Sequence, residues 1–98
     1  MTKIKLEKNG NQYRIECIGH ASSKETCAAV SALCYTLSGY LYNFPCNLKD
    51  LILKPGNAVI LYESDDIRAE AAFDMVCVGF LSLEPSYPGA VKVVRAPE

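Results

Sequence analysis

The sequence predicts an α+β fold with a four-stranded sheet and two helices packed on one of its faces. Three observations support this prediction. The first residues alternate between apolar and polar, two later segments repeat apolar residues every three or four positions, and a short β-type run follows each of those segments. The elements follow the order ββαβαβ, and 98 residues are the size of one domain, residues 1–98.

The segment KIKLEKNGNQYRIECIG predicts a β-hairpin. Asn9-Gly10 favours a type I′ turn, because both residues tolerate positive φ. Pairing Lys8 with Asn11 places the apolar side chains on one face: Leu6 opposite Tyr13, Ile4 opposite Ile15, Thr2 opposite Cys17. The other face carries charged residues: Lys3 opposite Glu16, Lys5 opposite Arg14. We therefore expect Cys17 in the core and His20 at the end of the strand.

A helical period then runs from about Ser22 or Thr26 to Phe44. Its apolar stripe comprises Val30, Leu33, Cys34, Leu37 and Leu41. Ser22 and Glu25 fit a capping box, whereas Thr26 is an alternative cap. Pro45 and the asparagines around it end the helix.

The second half of the chain predicts a strand, a helix and a strand. The Pro-Gly turn in LKPGNAVILYES precedes a strand from Ala58 to Glu63. Ser64, Asp65 or Asp66 then caps a helix with an apolar stripe through Ile67, Ala71, Met75 and Val78. Pro85 and YPG at 87–89 end this helix, and AVKVVRA forms the last strand.

Charge and hydropathy exclude several classes of protein. Ten basic and eleven acidic residues give a net charge of -1, and no run of like charge exceeds two residues. This distribution does not favour nucleic-acid binding. No apolar run approaches the ~20 residues that span a bilayer, and the alternating N-terminus is not a signal segment. We expect a soluble, cytoplasmic protein.

Five cysteines, at positions 17, 27, 34, 46 and 77, form no CxxC pair and leave an odd count. Neither a disulfide framework nor a structural zinc site is indicated. A metal site from Cys17, His20 and Cys27 is disfavoured, because strand alternation separates Cys17 from His20 and no fourth ligand is evident. We therefore expect no metal or cofactor.

The stretch GHASSKETCAAVSAL contains the chain's single histidine and a cysteine near a helix start. Amides at a helix N-terminus favour a thiolate, and an imidazole can serve as its base and later as an acid. His20 and Cys27 are thus either a nucleophile with its base or a surface histidine before a core cysteine. Ser31, one turn after Cys27, either supports the site or bonds back to its own turn.

GHA followed by CAAVSAL, with YPGAVKVV near the end, resembles the ribosomal-processing cysteine protease family, also called Prp or YsxB-like. The resemblance implies a small homodimeric cysteine endopeptidase that removes the N-terminal extension of a bacterial large-subunit ribosomal protein. It implies His20 as base and Cys27 as nucleophile, with Gly19 and Ser31 supporting them. The family usually has a longer segment between histidine and cysteine, with an aspartate where this chain has Lys24.

The short segment ASSKET leaves other functions open. One is a phage-type protease that acts on scaffold or capsid precursors, and another is a non-catalytic homodimeric binding module. Glu25, Asp65 and Asp66 are possible orienting carboxylates. The helix-free face of the sheet combines charged residues with an apolar strand, either its Val59 and Leu61 side or its Ala58, Ile60 and Tyr62 side. This face is the predicted partner surface, most simply for a second copy.

Overall fold

The computed structural model describes residues 1–20 and 23–96. Its sheet and helices are β1 (Thr2–Asn9), β2 (Gln12–Ile18), α1 (Lys24–Tyr40), β3 (Asn47–Lys54), β4 (Asn57–Glu63), α2 (Ile67–Ser86) and β5 (Val91–Ala96). The sheet order is β3-β4-β2-β1-β5, with β1 and β5 parallel and the other pairs antiparallel. The α+β class is confirmed, but the described sheet has five strands where four were predicted.

The unpredicted strand is β3, which forms a hairpin with β4 across the Pro55-Gly56 turn. It lies at the edge of the described sheet, where β4 is its neighbour on one side. A bulge between Leu48 and Asp50 shifts its register and breaks the period of two on which a sequence prediction depends. These two features explain why NLKDLILK gives no clear strand pattern.

The β1–β2 hairpin forms as predicted, but its predicted register is wrong: each residue of β1 pairs with a residue of β2 two positions further along the chain than predicted. Asn9 pairs with Gln12, so the turn is Gly10-Asn11, and only Gly10 has positive φ, at 59°. Positive φ at the first turn position alone is the type II′ pattern. The apolar partners become Leu6 with Ile15 and Ile4 with Cys17. The predicted faces survive, because a shift of two residues keeps every side chain on its side of the sheet.

Helix α1 is capped by Ser23, whose Oγ accepts a hydrogen bond from the Thr26 amide at 3.1 Å. Thr26 lies inside the helix and is buried, so its predicted role as cap is wrong. The capping box of Ser22 with Glu25 falls on a residue outside the described part of the chain. The helix ends at Tyr40, and a 3-10 turn, Leu41–Asn43, follows it. The predicted stripe is buried at four positions and half-buried at Leu33: Val30, Cys34, Leu37, Leu41.

Helix α2 begins after Asp66, one of the three predicted caps, but buries a different face from the one predicted. Ile67, Met75 and Val78 are 86%, 75% and 68% exposed. The buried residues are Ala69, Ala72, Phe73, Val76, Cys77, Phe80 and Leu83. Apolar residues of α2 occur on all sides of the helix, so the sequence period does not indicate which face is buried. The packing of Phe73 and Phe80 in the core determines the buried face. The helix also runs one residue past Pro85, to Ser86.

Both helices pack on one face of the sheet, as predicted. The core side chains alternate along β1, β2 and β4 and join the buried residues of α1 and α2 in one cluster. The opposite face carries Val59 and Leu61 on β4, because Ile60 and Tyr62 are in the core. Within residues 1–20 and 23–96, no helix has the length and hydropathy required to cross a membrane.

Candidate active site

A cleft of about 200 Å³ opens between α1 and the β3–β4 turn. The end of β2 contributes Gly19 and His20, and the first half of α1 contributes Cys27 and Ser31. All four residues singled out in the sequence therefore line one cleft. The other lining residues are Thr2, Cys17, Val30, Cys34, Tyr35, Leu53, Lys54, Pro55, Gly56, Asn57 and Ala58.

Gly19 occupies a position that requires glycine. Its φ is 98°, and a Cβ at this position would lie 2.5 Å from the carbonyl oxygen of Met1. Its amide donates to the Gly56 carbonyl at 3.0 Å, and its carbonyl accepts from Thr2 Oγ1 at 3.3 Å. Gly19 thus joins the end of β2 to the start of β1 and to the β3–β4 turn, and this fixes the direction in which the chain enters His20.

His20 is exposed at the mouth of the cleft, and its carbonyl accepts a hydrogen bond from the Met1 amino group at 3.0 Å. Its imidazole packs against Gly56. A Cβ added to Gly56 would clash with the ring, with Nε2 as the nearest atom and Cε1 at 2.7 Å. The imidazole therefore rests on a position of the β3–β4 turn that has no side chain.

Cys27 is the fourth residue of α1 and is half-buried. Its amide donates to the Ser23 carbonyl at 3.2 Å, which is a regular bond of the first helical turn. Side chains of a helix lean toward its N-terminus, so the helix directs the Cys27 side chain toward the first turn. The partial positive charge of a helix N-terminus extends over that turn.

Ser31 and Tyr35 follow Cys27 at intervals of four residues and line the same side of the cleft. Both are exposed. The hydroxyls of Thr36 and Ser38 bond to carbonyls of their own helix, at 2.6 Å and 3.2 Å. Within the described residues, Ser31 has no such bond. Its exposed side chain lines the cleft.

Cys17 and Cys34 lie at the floor of the cleft, with their sulfur atoms 3.8 Å apart. Both are buried, as predicted for Cys17. The hydrogen bond to Cys34, together with burial, raises the pKa of the Cys17 thiol above its usual value. Cys17 therefore serves the core, and no group of three potential metal ligands forms among the described residues.

None of the carboxylates considered from the sequence lines the cleft in the described structure: Glu25, Asp65, Asp66. Asp66 caps α2 and pairs with Arg68, and Asp65 accepts a hydrogen bond from Asn11 at 3.0 Å. The charged side chain beside the cleft is instead Lys54 of β3.

One wall of the cleft was missed in the sequence, because β3 was not recognised. Residues 53–58 form the end of that strand, the turn and the start of β4. The Pro-Gly turn itself was identified in the sequence. Its position relative to His20 could not be inferred, because the strand that precedes the turn was not recognised. A pattern search that allows one bulge would have found the strand.

A half-buried cysteine at a helix start, in one cleft with a histidine, supplies the two side chains that cysteine peptidases use as nucleophile and base. The chain belongs to the family of the cysteine protease Prp, whose model matches residues 1–92. A comparison with curated proteins finds no significant match in sequence.

Several solved structures share the fold. The ribosomal processing protease Prp from S. aureus, with a covalently linked product peptide, has a TM-score of 0.79 and 15% identity over 97% of this chain and 99% of that chain. The same S. aureus protease with a substrate peptide has a TM-score of 0.77 and 14% identity over the same shares. SMU.848 from Streptococcus mutans has a TM-score of 0.72 and 20% identity, over 97% of this chain and 96% of that chain.

Proposed function

We propose that this protein is a cysteine endopeptidase in which Cys27 is the nucleophile and His20 is the base. The observation that carries the proposal is that both residues line one cleft, although they come from a strand end and a helix start. His20 is the only histidine in the chain, so no other imidazole can take this role. The match to the Prp family over residues 1–92 supports the same assignment.

The chemistry is an acyl transfer in two stages. His20 takes the proton of the Cys27 thiol, and the thiolate attacks the scissile carbonyl carbon. The tetrahedral intermediate collapses, the C–N bond breaks, and the imidazolium gives its proton to the leaving amine. Water, deprotonated by His20, then attacks the carbonyl carbon of the thioester. The C–S bond breaks, the imidazolium returns its proton to the Cys27 sulfur, and the carboxylic acid product leaves and loses its own proton to solvent.

The oxyanion of the tetrahedral intermediate needs hydrogen-bond donors near the sulfur. Two early amides of α1 are already used, because Thr26 donates to Ser23 Oγ and Cys27 donates to the Ser23 carbonyl. The amides of Lys24 and Glu25, in the same turn, are the donors that we assign to the oxyanion.

The substrate that we propose is a polypeptide, and specifically the N-terminal extension of a bacterial large-subunit ribosomal protein. The solved S. aureus relative is a ribosomal processing protease and holds a substrate peptide. Among the side chains that line the cleft, Val30 of α1 and Leu53 and Ala58 of the β3–β4 hairpin are apolar. They suit an extended peptide with apolar side chains.

Cleavage of defined peptides tests the proposal. The purified protein is incubated with a peptide that spans the extension of the ribosomal protein from its own source, and the products are identified by mass spectrometry. Cleavage that disappears in Cys27→Ala and in His20→Ala supports the proposal. Cleavage of phage scaffold or capsid precursors alone would identify the phage-type protease. Peptide binding without cleavage would identify the non-catalytic binding module and contradict the proposal.

We also propose that the protein is a homodimer. The outer face of α2 supports this proposal, since Ile67, Met75 and Val78 form an exposed apolar stripe. The sheet face that the sequence suggested is less exposed: Val59 on it is buried and Ile18 is 42% exposed. We therefore place the contact between copies on α2.

A further inference from the structure

We infer that Gly56 is a positioning residue for His20. Because glycine has no side chain, the imidazole can pack against this turn, and this contact sets the position of the imidazole in the cleft. This inference rests on the proposed role of His20 as base. It adds a residue that lies 36 positions from His20 in the sequence and on a different hairpin.

The turn that contains Gly56 is well defined. Lys54 pairs with Asn57, so Pro55 and Gly56 are the two residues of the loop. Pro55 at the first position and Gly56 at the second, with φ of 74°, match the preferences of a type II turn. The proline ring limits the backbone before Gly56, and the positive φ excludes most other residues at Gly56 itself.

Two contacts connect this turn to the end of β2. The Gly19 amide donates to the Gly56 carbonyl at 3.0 Å, and this hydrogen bond fixes the turn beside the residue that precedes His20. The imidazole occupies the space where a side chain at position 56 would begin, with Nε2 nearest. The backbone of His20 and its ring are therefore both placed by Gly56.

A side chain at position 56 would push the imidazole away from the turn. Real Cβ atoms do not approach other atoms as closely as this one would approach Nε2, and the neighbour is a ring that cannot bend. The ring would have to rotate or leave the cleft wall. A base displaced by even 1 Å loses much of its effect, so a fall of about tenfold or more in the reactivity of Cys27 is expected.

Gly10 provides a matched control. It also lies in a two-residue hairpin turn and has φ of 59°, but a Cβ there would have no neighbour within 4 Å. Gly10→Ala and Gly56→Ala both place an alanine at positive φ, and only the second brings its Cβ against His20. Gly56→Asn adds the same Cβ at lower strain, since asparagine tolerates positive φ, and it carries the test if Gly56→Ala does not fold.

The test combines NMR and alkylation. Because the chain has one histidine, the Cε1–H signal in a carbon-proton spectrum reports on His20 alone. We expect Gly56→Ala to shift this signal and to slow the alkylation of Cys27 about tenfold, and Gly10→Ala to do neither. A signal that moves no more in Gly56→Ala than in Gly10→Ala would overturn the inference. The inference would also be overturned if Gly56→Ala left the alkylation rate of Cys27 unchanged while His20→Ala slowed it.

The same data separate this inference from the proposed function. If His20→Ala leaves the alkylation of Cys27 unchanged in the otherwise unaltered protein, the proposed base is wrong. The position of the His20 signal in Gly56→Ala still decides whether Gly56 holds the ring.

Discussion

The sulfur atoms of Cys17 and Cys34 lie 3.8 Å apart beneath the cleft that contains Cys27. Cys17 belongs to β2 and Cys34 to α1, so this contact joins the strand that leads to His20 to the helix that carries Cys27. The relative placement of the two proposed catalytic residues therefore depends on the packing of two other thiols.

Removal of one of these sulfur atoms is expected to destabilise the protein without altering the site residues. Cys34→Ala leaves a small cavity and a buried thiol without its partner, which costs about 1 to 2 kcal/mol of unfolding free energy. Urea denaturation measures the loss. Cys46→Ala is the control, because Cys46 is only half-buried and has no sulfur neighbour among the described residues. Equal losses in the two variants would contradict the role given to the pair.

Gly19→Ala is expected to lower the free energy of unfolding by more than its backbone strain alone would. An alanine at positive φ costs about 1 to 2 kcal/mol. Gly89→Ala, with φ of 80° and no neighbour within 4 Å of the added Cβ, measures this strain by itself. Gly19→Ala adds a clash with the Met1 carbonyl oxygen, so its loss in urea denaturation exceeds that of Gly89→Ala. If the two losses match, the close approach at Gly19 is not real.

The cap of α2 predicts a specific dependence of stability on pH. A side-chain hydrogen bond from Arg68, together with one from its backbone amide, lowers the pKa of Asp66 to about 2. In the unfolded chain this pKa is about 3.9. The stabilisation is therefore complete above the unfolded pKa and is lost as the pH falls from about 4 to 2.

Asp66→Asn keeps a capping side chain and removes the titration. We expect the midpoint of thermal unfolding to fall less in Asp66→Asn than in the unaltered protein between pH 4 and pH 2. Asp65→Asn removes a charge from the same loop and keeps the cap, so it should follow the unaltered protein. An Asp66→Asn curve parallel to the unaltered one would contradict the assignment.

The homodimer proposal predicts that a charge on the outer face of α2 separates the copies. Met75 is 75% exposed in the described chain, so Met75→Glu should fold normally and yet place a charge in the proposed contact. Light scattering at micromolar concentration is expected to give twice the chain mass of 10.7 kDa for the unaltered protein and the single chain mass for Met75→Glu. Ile18→Glu, on the opposite sheet face, should remain dimeric. A monomeric unaltered protein would refute the proposal.

Much of the fold follows from the sequence, because the relevant patterns are local. The β1–β2 hairpin, though not its exact turn and register, and the buried stripe of α1 are contained in short segments whose periods are clear. The buried face of α2 does not follow from a local pattern, because apolar residues occur on all sides of that helix. The face is determined by residues distant in sequence, such as those that pack against Phe73 and Phe80.

The candidate site shows the same division. His20 and Cys27 are separated by only six residues and belong to adjacent elements, so their convergence is predictable from the sequence. Gly56 is not, because its contact with His20 depends on the register of a bulged edge strand. The absence of a carboxylate from the described cleft walls also depends on tertiary structure, because the start of α2, where Asp65 and Asp66 lie, does not line the cleft.

The most direct test of the account is the alkylation rate of Cys27 as a function of pH, with and without His20. Each cysteine is identified by mass spectrometry after brief treatment of the native protein with iodoacetamide. Burial raises the pKa of Cys46 and raises that of Cys77 to about 11, so both should react slowly. The account predicts that Cys27 reacts first below pH 7 and that His20→Ala slows it about tenfold or more. A Cys27 that reacts like an ordinary thiol, or that is indifferent to His20→Ala, would contradict the proposed peptidase.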